Sequence, residues 1–297
     1  MVWLVTGGTG QLGLALQREL TKQDIEYKAP ASAELDLTKP AQLESVINEI
    51  KPSVIINAAA WTDVDGAEGN SDLVFEINSE APKKLAEIAR SLNSVFIQIS
   101  TDYVFDGESK APYSEGHERN PQSVYGKSKS QGEKCVEEIY KEKSFIFRTA
   151  WLYSAERKNF AKTMVRLAMK NADEVKVVND QLGQPTFAGD LAGKIVETVI
   201  SKSPFGIYHG TNSGEATWFD FAREIFELLE MDARRVVPIS SDTLSRLAKR
   251  PAFSVLSHES WRIANLKEMQ DWKIALASAM PSIIQAVKDE ELENEIN

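Results

Sequence analysis

Val2-Trp3-Leu4-Val5-Thr6-Gly7-Gly8-Thr9-Gly10-Gln11-Leu12-Gly13 opens the chain, and its reading decides the fold. An apolar run over residues 2–6 predicts a buried strand, and Leu12, Ala15, Leu16 and Leu20 repeat at helical spacing directly after it. Between the two, glycines stand at 7, 10 and 13. Gly7 suits the tight turn, Gly10 lets backbone approach a diphosphate, and Gly13 permits close contact of helix and sheet. The following helix, starting at Gln11 and Leu12, presents free amides and the positive end of its dipole to that diphosphate. A strand, a glycine turn and a helix in that order point to a dinucleotide site; glycines alone would suggest only a turn.

Working outward, short apolar runs keep alternating with amphipathic stretches. Strands are expected at residues 25–27, 54–57, 95–99 and 145–147, and helical faces at Leu43/Val46/Ile47/Ile50 and Leu85/Ile88/Ala89/Leu92. A further helix is expected to run through Tyr140. This alternation implies an α/β fold, a Rossmann-like doubly wound parallel sheet whose strand ends share one crevice. Residues 1–150 are read as the dinucleotide-binding domain. Residues 151–297 are read mainly as a smaller C-terminal α/β substrate lobe, with some segments returning to the sheet. Pro185, Pro204, Pro238, Pro251 and Pro281 punctuate this half, and the acidic tail 288–297 reads as a solvated or a frayed helix end.

A carboxylate at the end of the second strand would hold the adenosine ribose and select NADH. Tyr27-Lys28-Ala29-Pro30 has none, which favours NADPH, with NADH the alternative. Lys28 would meet a 2′-phosphate or simply be solvated. Asp36 and Leu37 fall where the next loop reaches an adenine, or else form a turn before Pro40.

Tyr125-Gly126-Lys127-Ser128-Lys129 places a phenol and an ammonium four residues apart on one helical face. A phenol is a poor acid–base group at neutral pH, and a neighbouring ammonium is expected to lower its pKa. Ser100 and Thr101 end the strand before that helix, so a hydroxyl joins the same crevice. Hydroxyl, tyrosine, lysine and glycine turn together carry the reading; each alone has a plain structural explanation.

Composition narrows the field. The 297 residues are 42% hydrophobic and 26% charged, as in globular proteins, with a net charge of −10. That charge argues against nucleic acid or an anionic membrane as partner. The one cysteine, Cys135, allows no internal disulfide and reads as a small buried hydrophobe in a cytoplasmic protein. His117, His209 and His258 are scattered, and Asp63-Val64-Asp65-Gly66-Ala67-Glu68 lacks the later ligands of a calcium loop, so no metal site is expected. Neither a G-x-S-x-G elbow nor a P-loop lysine occurs.

Seven strings in order carry a resemblance. They are Asn57-Ala58-Ala59-Ala60-Trp61-Thr62-Asp63-Val64-Asp65 with Ala67-Glu68; Ser100-Thr101-Asp102-Tyr103-Val104-Phe105; Val124-Tyr125-Gly126-Lys127; and Arg148-Thr149-Ala150-Trp151. Asn159-Phe160-Ala161-Lys162-Thr163-Met164, Asn179-Asp180-Gln181 with Gly183, Pro185 and Thr186, and Arg250-Pro251 complete the set. Over nearly its whole length the chain resembles the extended short-chain dehydrogenase/reductases, and within them the dTDP-4-dehydrorhamnose reductases. The resemblance implies NAD(P)H-dependent reduction of the C4 keto group of dTDP-4-dehydro-L-rhamnose to dTDP-L-rhamnose, a precursor of cell-surface polysaccharide. It implies Thr101, Tyr125 and Lys129 as the catalytic trio, with Tyr125 and Lys129 also touching the cofactor. Ala58, Ala59 and Ala60 would lie along the cofactor; Thr101, Asp102 and Trp151 would touch the sugar; and Arg250 would face the dTDP diphosphate. Some members hold Mg²⁺ at a dimer interface through a Glu near the position of Ala15; alanine cannot do so, which leaves monomer or homodimer open. Two other readings fit the same fold. One is a non-catalytic NADP-binding regulatory subunit like that of methionine adenosyltransferase. The other is a sugar-nucleotide epimerase or dehydratase.

Overall fold

The computed structural model describes residues 2–170 and 174–296, with side chains through Glu293. Six strands form one parallel sheet: β1 (Trp3–Thr6), β2 (Tyr27–Lys28), β3 (Val54–Asn57), β4 (Val95–Thr101), β5 (Ser144–Thr149) and β6 (Gly206–His209). Their spatial order is β6-β5-β4-β3-β1-β2. Every residue of β1, β3 and β5 is buried, as expected of strands covered on both faces. Helices Gln11–Lys22 and Ala188–Ile200 pack on one face through Leu12, Leu16, Leu20, Leu191 and Ile195. Helices Pro40–Ile50, Ala81–Ser91 and Val124–Tyr140 cover the other through Leu43, Ile47, Leu85, Ile88 and Val136. β2 and β3 lie on opposite sides of β1, so the chain reverses direction there and opens a crevice beyond the strand ends. A polar ladder crosses those ends: Thr6 Oγ1 donates to Asn57 Oδ1 (2.6 Å), and Asn57 Nδ2 donates to Gln98 Oε1 (2.8 Å).

A second apolar core joins helices Phe160–Met169, Trp218–Leu228 and Trp272–Ile296 to the parallel pair Val175–Val178 and Val236–Ile239. Ala188–Ile200 and β6 come from the second half of the chain yet pack with the main sheet. Strand β2 starts two residues later than the apolar pattern suggests. Pro281 lies inside the Trp272–Ile296 helix and Pro238 inside the strand Val236–Ile239, so neither ends its element. Pro238 is tolerated because a two-stranded sheet consists of edges alone, with no second neighbour needing its missing N–H. Of the acidic tail, residues 288–296 continue the last helix and Asn297 lies outside the described residues. Cys135 is buried. Among the described residues no helix is long and apolar enough to cross a membrane.

Candidate active site

The turn after β1 is built as its glycines suggest. Gly7 holds φ +67°, and a Cβ there would stand 2.7 Å from Ala59 N. The amide of Gly10 donates to the Gly7 carbonyl (2.9 Å), closing the turn. Gly10 is the N-cap of Gln11–Lys22, and no side chain caps that helix, so its first-turn amides remain open to a ligand. Gly13 does not face the cleft. A Cβ on it would lie 2.1 Å from the Gly7 carbonyl oxygen, so its part is the close helix–turn contact. The Gln11 side chain ties the turn to the second half of the chain, accepting from Ser154 Oγ (3.1 Å) and Asn159 Nδ2 (3.0 Å).

From here a cleft of about 720 Å³ runs over the strand ends. Its wall includes Gly7, Gly10, Gln11, Leu12, Ala58, Ala59, Ala60, Thr101, Asp102, Tyr125, Lys129 and Trp151. Twelve residues singled out from sequence, 144 positions apart at the extremes, thus share one cavity. The glycine cradle, the uncapped helix and the apolar Ala58–Ala60 ledge fit a nicotinamide dinucleotide in size and chemistry.

Local devices aim the helix that carries Tyr125 and Lys129. Ser123 caps Val124–Tyr140 by accepting from Gly126 N (3.1 Å), a cap worth about 1 kcal/mol. Glu68 accepts from Val124 N (2.9 Å). Gly126 lets the helix sit directly on the strand-end turn: a Cβ there would meet the Tyr103 carbonyl oxygen at 2.3 Å. A π-helical turn, Glu76–Glu80, points Asn78 inward, where it accepts from Trp61 N (2.9 Å) and donates to Ser128 Oγ (3.1 Å). Tyr125 is thereby held beside Thr101. Burial pushes its phenol well above the usual value, the Thr101 hydroxyl pulls it back, and the nearby Asp102 adds to the rise. Lys129 donates to the Ile99 carbonyl (2.6 Å), and burial pulls its ammonium down to about 8. The expectation that Lys129 lowers the phenol's pKa is not met in this arrangement: Thr101 is the group favouring the phenolate, and desolvation outweighs it.

Asp102 is fully buried. Its Oδ1 accepts from Thr101 Oγ1 (2.9 Å), while Oδ2 makes no hydrogen bond. Desolvation raises its carboxyl to about 6, against the pull of the Ser254 and Thr101 hydroxyls. The Thr149 hydroxyl, on the same wall, is also buried without a partner. Unpaired polar atoms on a cavity wall are costly unless water or a ligand satisfies them. Trp151 adopts φ +47° and stacks on Trp218 at 3.7 Å, forming a flat apolar side to the same space.

Other candidates lie at the margins. Asp36 and Leu37 line a pocket of about 200 Å³ that shares Gly7, Thr9, Ala59 and Ala60 with the main cleft. The Asp36 carboxylate is itself engaged by Thr38 N (3.0 Å) and Thr38 Oγ1 (2.7 Å), which hold it below the usual carboxylate value. Lys28 is exposed and lines neither pocket. Arg250 stands outside the main cleft, in a pocket of about 260 Å³ with Arg246, Lys176 and Gln181. Tyr103 and Trp218 belong to both cavities. Asp65 holds Arg250 with two bonds (2.9 and 2.7 Å). In the segment 63–68, Asp63 caps a helix, Asp65 pairs with Arg250 and Glu68 accepts from Val124 N, so all three carboxylates are committed. Ala15 is 3% exposed, packed inside the core. Sequence reasoning passed over Arg157 and Lys158, two cations on the cleft wall, and Arg246. Arg157 Nε donates to Thr9 O (2.6 Å), a contact 148 residues long that no local pattern announces.

The chain is similar to known proteins over almost its full length. The model of the RmlD substrate binding domain family matches residues 1–284. A dTDP-4-dehydrorhamnose reductase of Streptomyces griseus is 41% identical, covering 95% of this chain and 93% of its own. A probable dTDP-4,6-dihydroxy-2-methyloxan-3-one 4-ketoreductase of Streptomyces antibioticus is 40% identical, covering 96% and 97%. The crystal structure of dTDP-4-dehydrorhamnose reductase from Bacillus anthracis in complex with NADP superposes with a TM-score of 0.90 at 37% identity, covering 94% and 98%. With the match running from the glycine turn through the second core, the chain belongs to the RmlD substrate binding domain family.

Proposed function

We propose that this protein is an NADPH-dependent reductase of a dTDP-linked 4-keto-6-deoxysugar, with dTDP-4-dehydro-L-rhamnose as substrate and dTDP-L-rhamnose as product. One observation carries the reading: Thr101, Tyr125 and Lys129 meet on the wall of the cleft that the glycine turn opens. Relatives named as reductases of such sugars, at about 40% identity, support the choice of substrate class.

NADPH supplies the hydride when bound. The chain's own residues do the rest. The amides of the first turn of Gln11–Lys22 hold the diphosphate, and Arg157 and Lys158 add positive charge at its rim. Thr101 and Tyr125 bind the keto oxygen and orient the carbonyl. The raised phenol is protonated throughout the physiological range, which is the form a reduction requires, because the oxygen of the product must receive a proton. Lys129 holds the nicotinamide ribose and supplies positive charge. Asp102 Oδ2 and Thr149 Oγ1 take sugar hydroxyls, and the Trp151–Trp218 wall excludes water. Arg250 and Arg246 face the substrate diphosphate from the adjoining pocket. Residues 1–150 serve the cofactor, and residues 151–297 mainly the substrate. The single buried thiol suits a reducing cytoplasm.

The test is loss of absorbance at the reduced-cofactor band with enzymatically made dTDP-4-keto sugar, NADPH and NADH being tried in turn. Turnover with NADPH supports the proposal. Tight NADP binding with no oxidation of either cofactor by any keto-sugar nucleotide would overturn it in favour of a regulatory subunit.

A further inference from the structure

Tyr125, Lys129 and Glu133 follow one another at four-residue spacing along one buried face of Val124–Tyr140. The first two line the cleft; Glu133 does not, and it is 0% exposed. Its carboxylate is clamped from two other elements. Arg148 of β5 donates through Nε (3.0 and 3.2 Å) and Nη2 (2.8 Å). Arg119, in the loop before the helix, donates through Nε (2.6 Å) and also pairs with Glu137 one turn on.

The charges around this row are few. From β4, the Ser100 hydroxyl faces Glu133 and the Ile99 carbonyl accepts from Lys129, with Asp102 just beyond the strand end. Behind Arg148 stand the Glu115 carbonyl (3.0 Å) and His209 Nε2 (3.4 Å). His209 is held neutral by burial and by Arg148, with Nδ1 at the Ser257 carbonyl (2.9 Å). Glu133 is thus the anion nearest in sequence to the buried ammonium on its own helix face. Two guanidiniums lie beyond it.

A clamp between helix and sheet does not need ions, since well-packed apolar groups of equal volume often serve as well. What an apolar cluster cannot do is balance a buried cation one turn away. We propose that Glu133 is a positioning residue: its clamped carboxylate is the fixed counter-charge that keeps the Lys129 ammonium protonated and in place beside Tyr125. This rests on the reading of Lys129 as part of the reductase site. Burial alone drives Lys129 toward its neutral form, and Glu133 opposes that drive. Arg119 and Arg148 spend part of the carboxylate's field, so loosening the clamp strengthens its hold on Lys129.

Two variants of the full chain therefore shift the Lys129 ionisation in opposite directions. Carbon-13 NMR of labelled lysine side chains, with the Lys129 signal assigned by its loss in Lys129→Met, reads that ionisation without any substrate. Glu133→Gln lowers the midpoint by about one pH unit, a tenfold change in the proton equilibrium. Arg119→Gln raises it, because one guanidinium leaves while Arg148 still holds the carboxylate. The alkaline limb of kcat with keto-sugar nucleotide moves the same way in each variant. An unmoved midpoint in Arg119→Gln, or a fall in it, would overturn the proposal and leave Glu133 a structural clamp, whether or not Glu133→Gln folds. Opposite shifts in the NMR titration without turnover by the wild-type chain would uphold the counter-charge and sink the reductase reading instead.

Discussion

Gly13→Ala is the substitution whose consequence the geometry fixes most tightly. The new Cβ would lie 2.1 Å from the Gly7 carbonyl oxygen and 2.8 Å from Gly7 C and Gly8 Cα, all backbone atoms, where ordinary contact begins at 3.4 Å. Helix and turn must therefore separate by roughly 1 Å, a displacement that ruins aligned hydrogen bonds. Neither side yields easily. Leu12, Leu16 and Leu20, at 5% exposure or less, pin the helix to the sheet, and Gly7 is pressed against the Ala58–Ala59 backbone. Overpacking of this kind costs about 1–3 kcal/mol of stability. Hydrogen bonds to a charged diphosphate are worth about 1.5–3 kcal/mol each, so one lost bond weakens NADPH binding roughly 10- to 100-fold. Calorimetric titration with NADPH, beside a melting curve, measures both. Gly193→Ala serves as the control. A Cβ there meets nothing within 4 Å, and the helix interior gains about 0.4–1 kcal/mol from it. A folded Gly13→Ala protein that binds NADPH with wild-type affinity would refute the assignment of this turn as the diphosphate cradle.

Other outcomes follow from the same site. Tyr125→Phe removes the proposed proton donor and is expected to cut kcat about 10²- to 10⁴-fold while leaving the NADPH Kd nearly unchanged, as stopped-flow and binding assays would show. Asp102 has a folded pKa raised from 3.8 to about 6, so it favours folding when protonated, and stability falls as pH rises through that window. Asp102→Asn removes this penalty, of order 2–3 kcal/mol at neutral pH; its melting temperature should gain on the wild type between the two values, while the KM for the sugar nucleotide rises. Arg250→Ala should raise that KM by about tenfold without changing NADPH affinity, because Arg250 lies in the adjoining pocket and not along the glycine turn. Steady-state kinetics in both substrates separates the two effects.

Much of the fold is legible without coordinates because its signals are local. An apolar run ending in glycines must turn, and the helix after it shows its buried face every third or fourth residue. Tyr125 and Lys129 share a face for the same reason, since i and i+4 always do on a helix. What escaped the sequence lies far apart along it. Arg157 at the Thr9 carbonyl and Trp218 on Trp151 are contacts between segments whose local patterns say nothing of each other. The tuning of the phenol was misjudged for a similar cause. Spacing places an ammonium near Tyr125, but in the folded chain it is the Thr101 hydroxyl that favours the phenolate, and the depth of the cleft sets the desolvation that outweighs that hydroxyl.

By itself, then, the sequence determined the alternation of strands and helices, the glycine turn and the Tyr125–Lys129 face, each a matter of backbone geometry and short-range periodicity. Tertiary structure alone decided which ions are buried and which are paired. Glu133 between two arginines, Asp102 with one oxygen unsatisfied and Arg250 turned to Asp65 all depend on which distant chains exclude water from them. A charge's behaviour depends on its surroundings in space, and those are assembled from residues that no local window contains.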